Sequence, residues 1–236
     1  MTKVSLSRLQ AKLGYSFTEL ALLRQALIHR SYAATHYERL EFLGDGVLNF
    51  VIAHCLYQRF SDIKEGELSR VRAHLVKQDA LESIARRLKI SDYLYLGEGE
   101  LRSGGLERPS ILADVVEAIF GAIFLDAGFD AVQKVIVSLY QPLFDDLDPN
   151  KAGKDPKTQL QERLQAIKIA VPKYDIIDTS GAAHEQVFTV SCVIEALAVR
   201  TEGAGSTRRL AEQNAAHTAM LLLDAQPAKK SAKQLK

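Results

Sequence analysis

Through the first 140 residues the apolar positions recur at steps of three and four, in residues 20–28, 47–57 and 75–88. That is the period of helices with one buried face, and alternating patterns are nearly absent there. Gly14, Gly66 and the glycine-rich stretch ending in Gly104 and Gly105 punctuate these helices; Pro109-Ser110 opens another, with Ser110 as its expected N-cap. The pattern predicts an all-α unit over 1–144. DDLDPNKAGKDPK is polar and aperiodic, which marks a linker over 145–154. Asp155-Pro156 then supplies an N-cap and a first-turn proline for a helix reaching about Ile167. Beyond it the period changes to two: residues 174–178 and 187–195 alternate, the second placing Phe188, Val190, Cys192 and Ile194 on one face, with SGAAHEQ as the turn between them. Residues 196–202 read as a third strand and 208–225 as a long helix. The order is α-β-β-β-α over 155–225, followed by a loose tail over 226–236 in which four lysines lie.

Composition narrows the class. A chain of 236 residues with 47% hydrophobic content has ample material for a core. Cys55 and Cys192 lie far apart in apolar stretches, so they read as buried thiols in a reducing compartment, with no disulfide or zinc site indicated. The N-terminal segment has no continuous apolar run of the secretory kind, and the greasiest stretch, 111–127, holds Asp114, Glu117 and Asp126, which argues for a buried helix rather than a membrane span. A cytoplasmic protein with no membrane partner is expected. The net charge of +1 hides an asymmetry: residues 1–150 hold 17 Lys+Arg against 20 Asp+Glu, the remainder 13 against 9. A net −3 unit joined to a net +4 unit fits a catalytic part coupled to a polyanion-binding part.

The chemistry sits in two segments, ERLEFLGD (38–45) and DVVE (114–117). On a helix Glu38, Glu41 and Asp45 share one face, as do Asp114 and Glu117. Leu40, Phe42, Leu43, Val47, Leu48 and Phe50 flank the first set and Val115, Val116, Ile119 and Phe120 the second, so the acids are expected among core neighbours. Carboxylates so placed neutralise, pair with a cation or bind metal. At about 5 Å each pair repels by roughly 3 kcal/mol at an effective dielectric constant of ~20, which a divalent cation relieves. All-oxygen ligation selects a hard ion, magnesium rather than zinc, with manganese able to substitute. The competing reading pairs Glu38 or Glu41 with Arg39 or another surface base. Gly44 and Gly46 bracket Asp45 inside the same helix, where each costs up to ~1 kcal/mol, so close approach of another backbone is expected; the alternative is a helix boundary at Gly44. His29, His54 and His74 read as structural histidines on helices.

These segments together resemble the bacterial ribonuclease III family. ERLEFLGDGVL (38–48) reads like its signature, with HRSYA before it and SILADVVEAIFGAIFLD after it in the expected order. The resemblance implies an all-α endonuclease domain followed by a small α+β double-stranded RNA-binding domain. It also implies magnesium-dependent hydrolysis of duplex RNA to 5′-phosphate and 3′-hydroxyl ends, on precursor ribosomal RNA and structured messenger RNA. Glu41, Asp45, Asp114 and Glu117 match its metal ligands and Glu38 an acid beside them, with Asp45, Glu117 and Glu38 as the catalytic group. Glu65 matches a further acid near the catalytic valley, although an exposed loop residue there is equally explained by solvation. The family is homodimeric, and Phe42 resembles the aromatic that reaches into the partner, while by itself it reads as a core phenylalanine.

A-form RNA presents 2′-hydroxyls in a shallow minor groove, so a duplex reader uses polar side chains and phosphate contacts. By the same resemblance Gln161, Glu162 and Gln165 on one helical face, and His184 in the turn between the first two strands, enter successive minor grooves. GAGSTRRLAEQNAA (203–216) resembles the phosphate-binding signature, with Arg208 and Arg209 at a helix N-terminus that itself favours anions. Many such domains carry a third basic residue where this chain has Glu212, a departure expected to weaken phosphate affinity. Two rival functions remain at this level: a non-cleaving duplex-RNA-binding protein, which leaves the buried acids without a purpose, and an interaction scaffold built on the helical half, which does not explain them either.

Overall fold

The computed structural model describes residues 5–182 and 185–225. They divide into two compact units with the boundary between Gly153 and Lys154. Unit one is helical: α1 (Leu6–Leu13), α2 (Leu20–Ala26), α3 (Glu38–Arg59), α4 (Glu65–Leu75), α5 (Gln78–Leu88), the short α6 (Glu98–Arg102) and α7 (Pro109–Asp145). Unit two is α8 (Pro156–Ala166), β1 (Lys173–Ser180), β2 (Val187–Ile194), β3 (Val199–Gly205) and α9 (Arg208–Ala225), its strands forming an antiparallel sheet in the order β1-β2-β3. The all-α unit followed by an α-β-β-β-α unit is therefore the architecture the hydrophobic period predicts.

Several boundaries shift for local reasons. The period over 75–88 is two helices, because α4 ends at Leu75 and α5 begins at Gln78. Pro109 is the first residue of α7 with Arg108 at the cap, so Ser110 lies inside the helix and does not cap it. Gly128 (φ 77°) breaks α7 in two. Residues 195–197 form a tight turn ending in Ala198 (φ 52°), which delays the third strand to Val199. His29 is on no helix: it follows α2, beside an isolated bridge between Ile28 and Tyr95. The Asp155 cap is as expected, its side chain accepting from the Thr158 amide. Residues 149–152 are tied to α4, where the Arg70 guanidinium donates to the carbonyls of Pro149 and Ala152.

The core of unit one centres on α3 and α7. Leu40, Gly44, Leu48, Val51, Ile52 and Cys55 form the buried face of α3. Phe42 (83% exposed), Phe50 (60%) and Tyr57 (74%) point the other way, so Phe42 and Phe50 are surface residues, contrary to the sequence expectation. The reason is rotational: residues 40, 44, 48, 51 and 55 fill one 3.6-residue stripe, and 42, 50 and 57 fall on the opposite one. By length and composition α3 is the one helix among the described residues able to cross a membrane, yet it carries Glu38, Glu41 and Asp45 and packs on α7.

The α3–α7 crossing is a backbone contact. A Cβ on Gly44 would stand 1.8 Å from the Glu117 carbonyl oxygen, and one on Gly121 would stand 2.1 Å from that of Leu40. Gly46 has nothing within 4 Å, so only one of the two glycines around Asp45 answers to close approach. Unit two is organised by a smaller core of Leu160, Leu164, Cys192, Ile194, Ala215, Ala216 and Ala219. The face predicted for β2 is the one it buries, with Val190, Cys192 and Ile194 inside. Gly203 lets α9 lie directly on β3, since a Cβ there would meet the Ala215 amide at 2.2 Å.

Candidate metal centre and RNA-binding surface

Contact between Gly44 and the α7 backbone places Glu41, one turn earlier on α3, against Asp114 and Glu117 on α7. Each of the three offers one carboxylate oxygen, and these oxygens lie within 4.8 Å of one another, all half-buried. Tyr37, buried just before α3, donates its hydroxyl to Asp114 Oδ2 at 3.4 Å. A cleft of about 420 Å³ opens on Glu41 and Asp114, lined also by His29, Arg30, Glu38 and Arg108.

Glu38 and Asp45 stand outside this trio. Glu38 is exposed and turns toward Arg30 at 3.3 Å, with His36 Nδ1 at 3.8 Å; this is the surface pairing considered for it at sequence level, though not with Arg39. Asp45 is exposed too, and Asn49 Nδ2 donates to its Oδ1 at 2.7 Å. Both still act through their charge on the trio. Glu65 opens α4, exposed, accepts from Ser69 Oγ at 2.7 Å, and is not among the three clustered acids. Tyr37 and Asn49 were not picked out from sequence: a tyrosine or asparagine beside an acidic helix carries no signal until the helices are packed.

The electrostatics are those of a site short of positive charge. Burial, then Asp114, Glu38 and Asp45, push the Glu41 carboxyl up to about 7. Burial, then Asp45, Asp114 and Glu41, push Glu117 up to about 8. Asp114 is raised by burial, against the pull of the Tyr37 hydrogen bond. At separations of no more than 4.8 Å each pair of ionised acids repels by at least ~3 kcal/mol at an effective dielectric constant of ~20. The donors are all hard oxygens, with no thiolate or imidazole among them, so the set fits a small divalent ion of the magnesium or manganese kind.

Of the three histidines, His29 and His54 have side-chain partners. His29 Nδ1 lies 2.7 Å from Ser31 Oγ, and burial lowers the His29 pKa. His54 Nδ1 lies 3.4 Å from Gln133 Nε2, and burial lowers the His74 pKa. Along α3, Phe42, Leu43, Val47 and Phe50, together with Asp45 and with Phe129 of α7, line a mostly apolar hollow of about 680 Å³. Phe50 and Phe129 meet edge to face at 5.5 Å.

In unit two Gln161, Glu162 and Gln165 are exposed on one side of α8, and both Glu162 oxygens accept from Lys154 Nζ, at 2.9 and 2.6 Å. His184 lies outside the described residues. Arg208 and Arg209 are exposed at the start of α9. Glu212 is buried (9% exposed), with Lys157 Nζ at 2.6 Å and Arg208 Nε at 2.9 Å.

A helical unit carrying a carboxylate trio, joined to an α-β-β-β-α unit with arginines at its last helix N-terminus, defines a nuclease coupled to an RNA-binding module. Comparison with known proteins agrees in both parts. Residues 19–143 match the "Ribonuclease-III-like" family model and 156–223 the "Double-stranded RNA binding motif". The chain is 55% identical over its whole length to Ribonuclease 3 of Bordetella pertussis, spanning 94% of that protein. It is 58% identical over 92% of its length to the Ribonuclease 3 of Bordetella avium, spanning 86% of it. The crystal structure of the nuclease domain of ribonuclease III from Campylobacter jejuni, 39% identical, superposes with a TM-score of 0.59, covering 63% of this chain and all of that one. A second structure of that domain (TM-score 0.58, 39% identical, covering 60% of this chain and 99% of that one) is described as showing flexibility in a region involved in dimer formation. This chain belongs to the ribonuclease III family, and it is an endoribonuclease with a double-stranded-RNA-binding domain.

Proposed function

We propose that the chain is a magnesium-dependent homodimeric endoribonuclease that hydrolyses duplex RNA to 5′-phosphate and 3′-hydroxyl ends, with manganese able to replace magnesium. Precursor ribosomal RNA and structured messenger RNA are its expected substrates, and the cytoplasm, where Cys55 and Cys192 stay reduced, its expected location. Residues 1–144 form the catalytic domain, 145–154 the linker, 155–225 the RNA-binding domain and 226–236 a basic tail. The observation that carries the reading is the meeting of Glu41, Asp114 and Glu117 within 4.8 Å. A pure duplex binder gains nothing from acids that repel RNA and repel one another.

Glu41, Asp114 and Glu117 would hold the ion directly, with Asp45 one turn further along α3 completing the set. Bound there, the ion supplies Lewis acidity toward phosphate oxygens and a lowered pKa for a coordinated water. The chain's own part is to give up protons and to orient: Glu41 and Glu117 must ionise for the ion to enter, and Tyr37 fixes the Asp114 carboxylate. Glu38, paired with Arg30 at the rim, sets the Arg30 guanidinium where an RNA phosphate would pass. Gln161, Glu162, Gln165 and His184 read the minor groove, and Arg208 and Arg209 the phosphates. For Glu162 this requires release of Lys154, a cation itself free to meet a phosphate once released.

The deciding experiment incubates a long perfect RNA duplex with the chain, with and without magnesium, and analyses the product ends. Cleavage only with magnesium, leaving 5′-phosphates, is expected. Glu117→Gln should lose cutting by at least 1,000-fold, or about 4 kcal/mol of transition-state stabilisation, while retaining duplex affinity. Wild-type cutting by that variant would remove the site assignment.

A further inference from the structure

At position 212, where the phosphate-binding segment commonly carries a third base, this chain has a glutamate. As an exposed acid it would simply repel RNA. It is instead buried, its two oxygens divided between two cations on different helices: Oε1 accepts from Arg208 Nε at 2.9 Å and Oε2 from Lys157 Nζ at 2.6 Å. Burial alone would push its carboxyl up, but Lys157 and Arg208 together hold it below the usual range, so it stays ionised at neutral pH. Lys157 is itself seated 4.5 Å over the Tyr174 ring, which fixes the far side of the bridge to α8 and β1.

What matters for RNA is the atom of Arg208 that is used. Glu212 takes the Nε, and among the described residues the two terminal Nη groups have no partner, on a side chain 61% exposed. A guanidinium held by Nε presents the rest of its planar fork outward, in the geometry that grips phosphate oxygens in pairs. Holding the stem in advance also removes much of the rotamer entropy that ordering an exposed arginine on binding costs. Because two cations surround one anion, the cluster remains net positive toward the polyanion.

We infer that Glu212 is a positioning residue for duplex RNA: buried between Lys157 and Arg208, it holds the Arg208 fork toward the backbone phosphates. This rests on the RNA-binding reading of the second unit. It reverses the sequence-level expectation, in which an acid at this place weakens binding.

The test uses the full chain with divalent ions chelated, titrating a labelled perfect duplex at three salt concentrations. Glu212→Gln should weaken binding about five- to tenfold at low salt and flatten the slope of log affinity against log salt by about one unit, the signature of one lost phosphate contact. In an Arg208→Ala background, the same change should have no further effect, because the two act as one. Glu212→Asp keeps the charge but is one methylene shorter, so it should weaken binding as well; Arg208→Lys, at an exposed position that does not threaten folding, keeps its charge without the fork and should do the same. Affinity equal to or tighter than wild type in both Glu212 variants, or effects that add to that of Arg208→Ala, would overturn the inference. A wild-type chain that binds no duplex would instead overturn the functional reading on which it rests.

Discussion

Glu117 and Glu41 show how a single residue's chemistry is set by its neighbours. Their folded-state values, about 8 and about 7, lie above their ordinary 4.5. The metal-free folded chain therefore holds protons that the unfolded chain has released between those limits, and stability from this source, full below pH 4.5, is lost as pH rises through 8. At about 1.36 kcal/mol per pH unit the two shifts would be worth about 6 kcal/mol between pH 5 and 8; solvent screening of these half-buried carboxyls roughly halves this, so we expect the metal-free unfolding free energy to fall by on the order of 3 kcal/mol. His29 and His74, lowered by burial, contribute in the opposite direction over part of that range, so the measurement is the difference between wild type and Glu117→Gln in urea titrations. Saturating magnesium should abolish the decline and bind more tightly as pH rises, since ion and proton compete for the same oxygens. A difference curve flat in pH would mean that Glu117 does not face the other acids.

The crossing of α3 and α7 is the element on which the site depends. Gly44 permits backbone contact and Gly46 does not take part in it, a distinction invisible in the sequence, where the two flank Asp45 alike. Gly44→Ala must push the helices apart and should cost about 3 kcal/mol or more in stability, with magnesium affinity lost alongside. Gly46→Ala, meeting open space, should gain ~0.5–1 kcal/mol from helix propensity. Denaturant unfolding of both variants at one protein concentration checks the pair, and equal effects would show that the crossing is not as close as described. In the second unit the same device recurs, with Gly203 admitting α9 onto β3 so that Arg208 and Arg209 begin the helix beside the sheet.

For the whole molecule, the exposed stripe of α3 is the surface through which the proposed dimer would assemble. Phe42, Phe50 and Tyr57 stand exposed along it, and the proposed cutting of both strands of a duplex calls for two sites related by a two-fold axis. Sedimentation at micromolar protein should give twice the 26.1 kDa of one chain. Phe42→Ala, deleted from both sides of an isologous contact, should weaken the dimer about 100- to 1,000-fold, from ~2 kcal/mol of lost burial per side. A wild-type chain that sediments only as monomer would refute the dimer.

The sequence by itself determined what depends on local order. Helical and alternating periods, the Asp155-Pro156 start of α8 and the spacing of Glu41, Asp114 and Glu117 are properties of contiguous residues, and the motifs around them were enough to indicate the family. Only the tertiary structure decided what depends on rotation and distance. It separated Glu38 and Asp45 from the trio they accompany in sequence, turned Phe42 and Phe50 from the core to the surface, and buried Glu212 between Lys157 and Arg208. A period fixes which residues share a helical face, whereas the packing of one helix on another fixes which atoms of that face come within bonding reach.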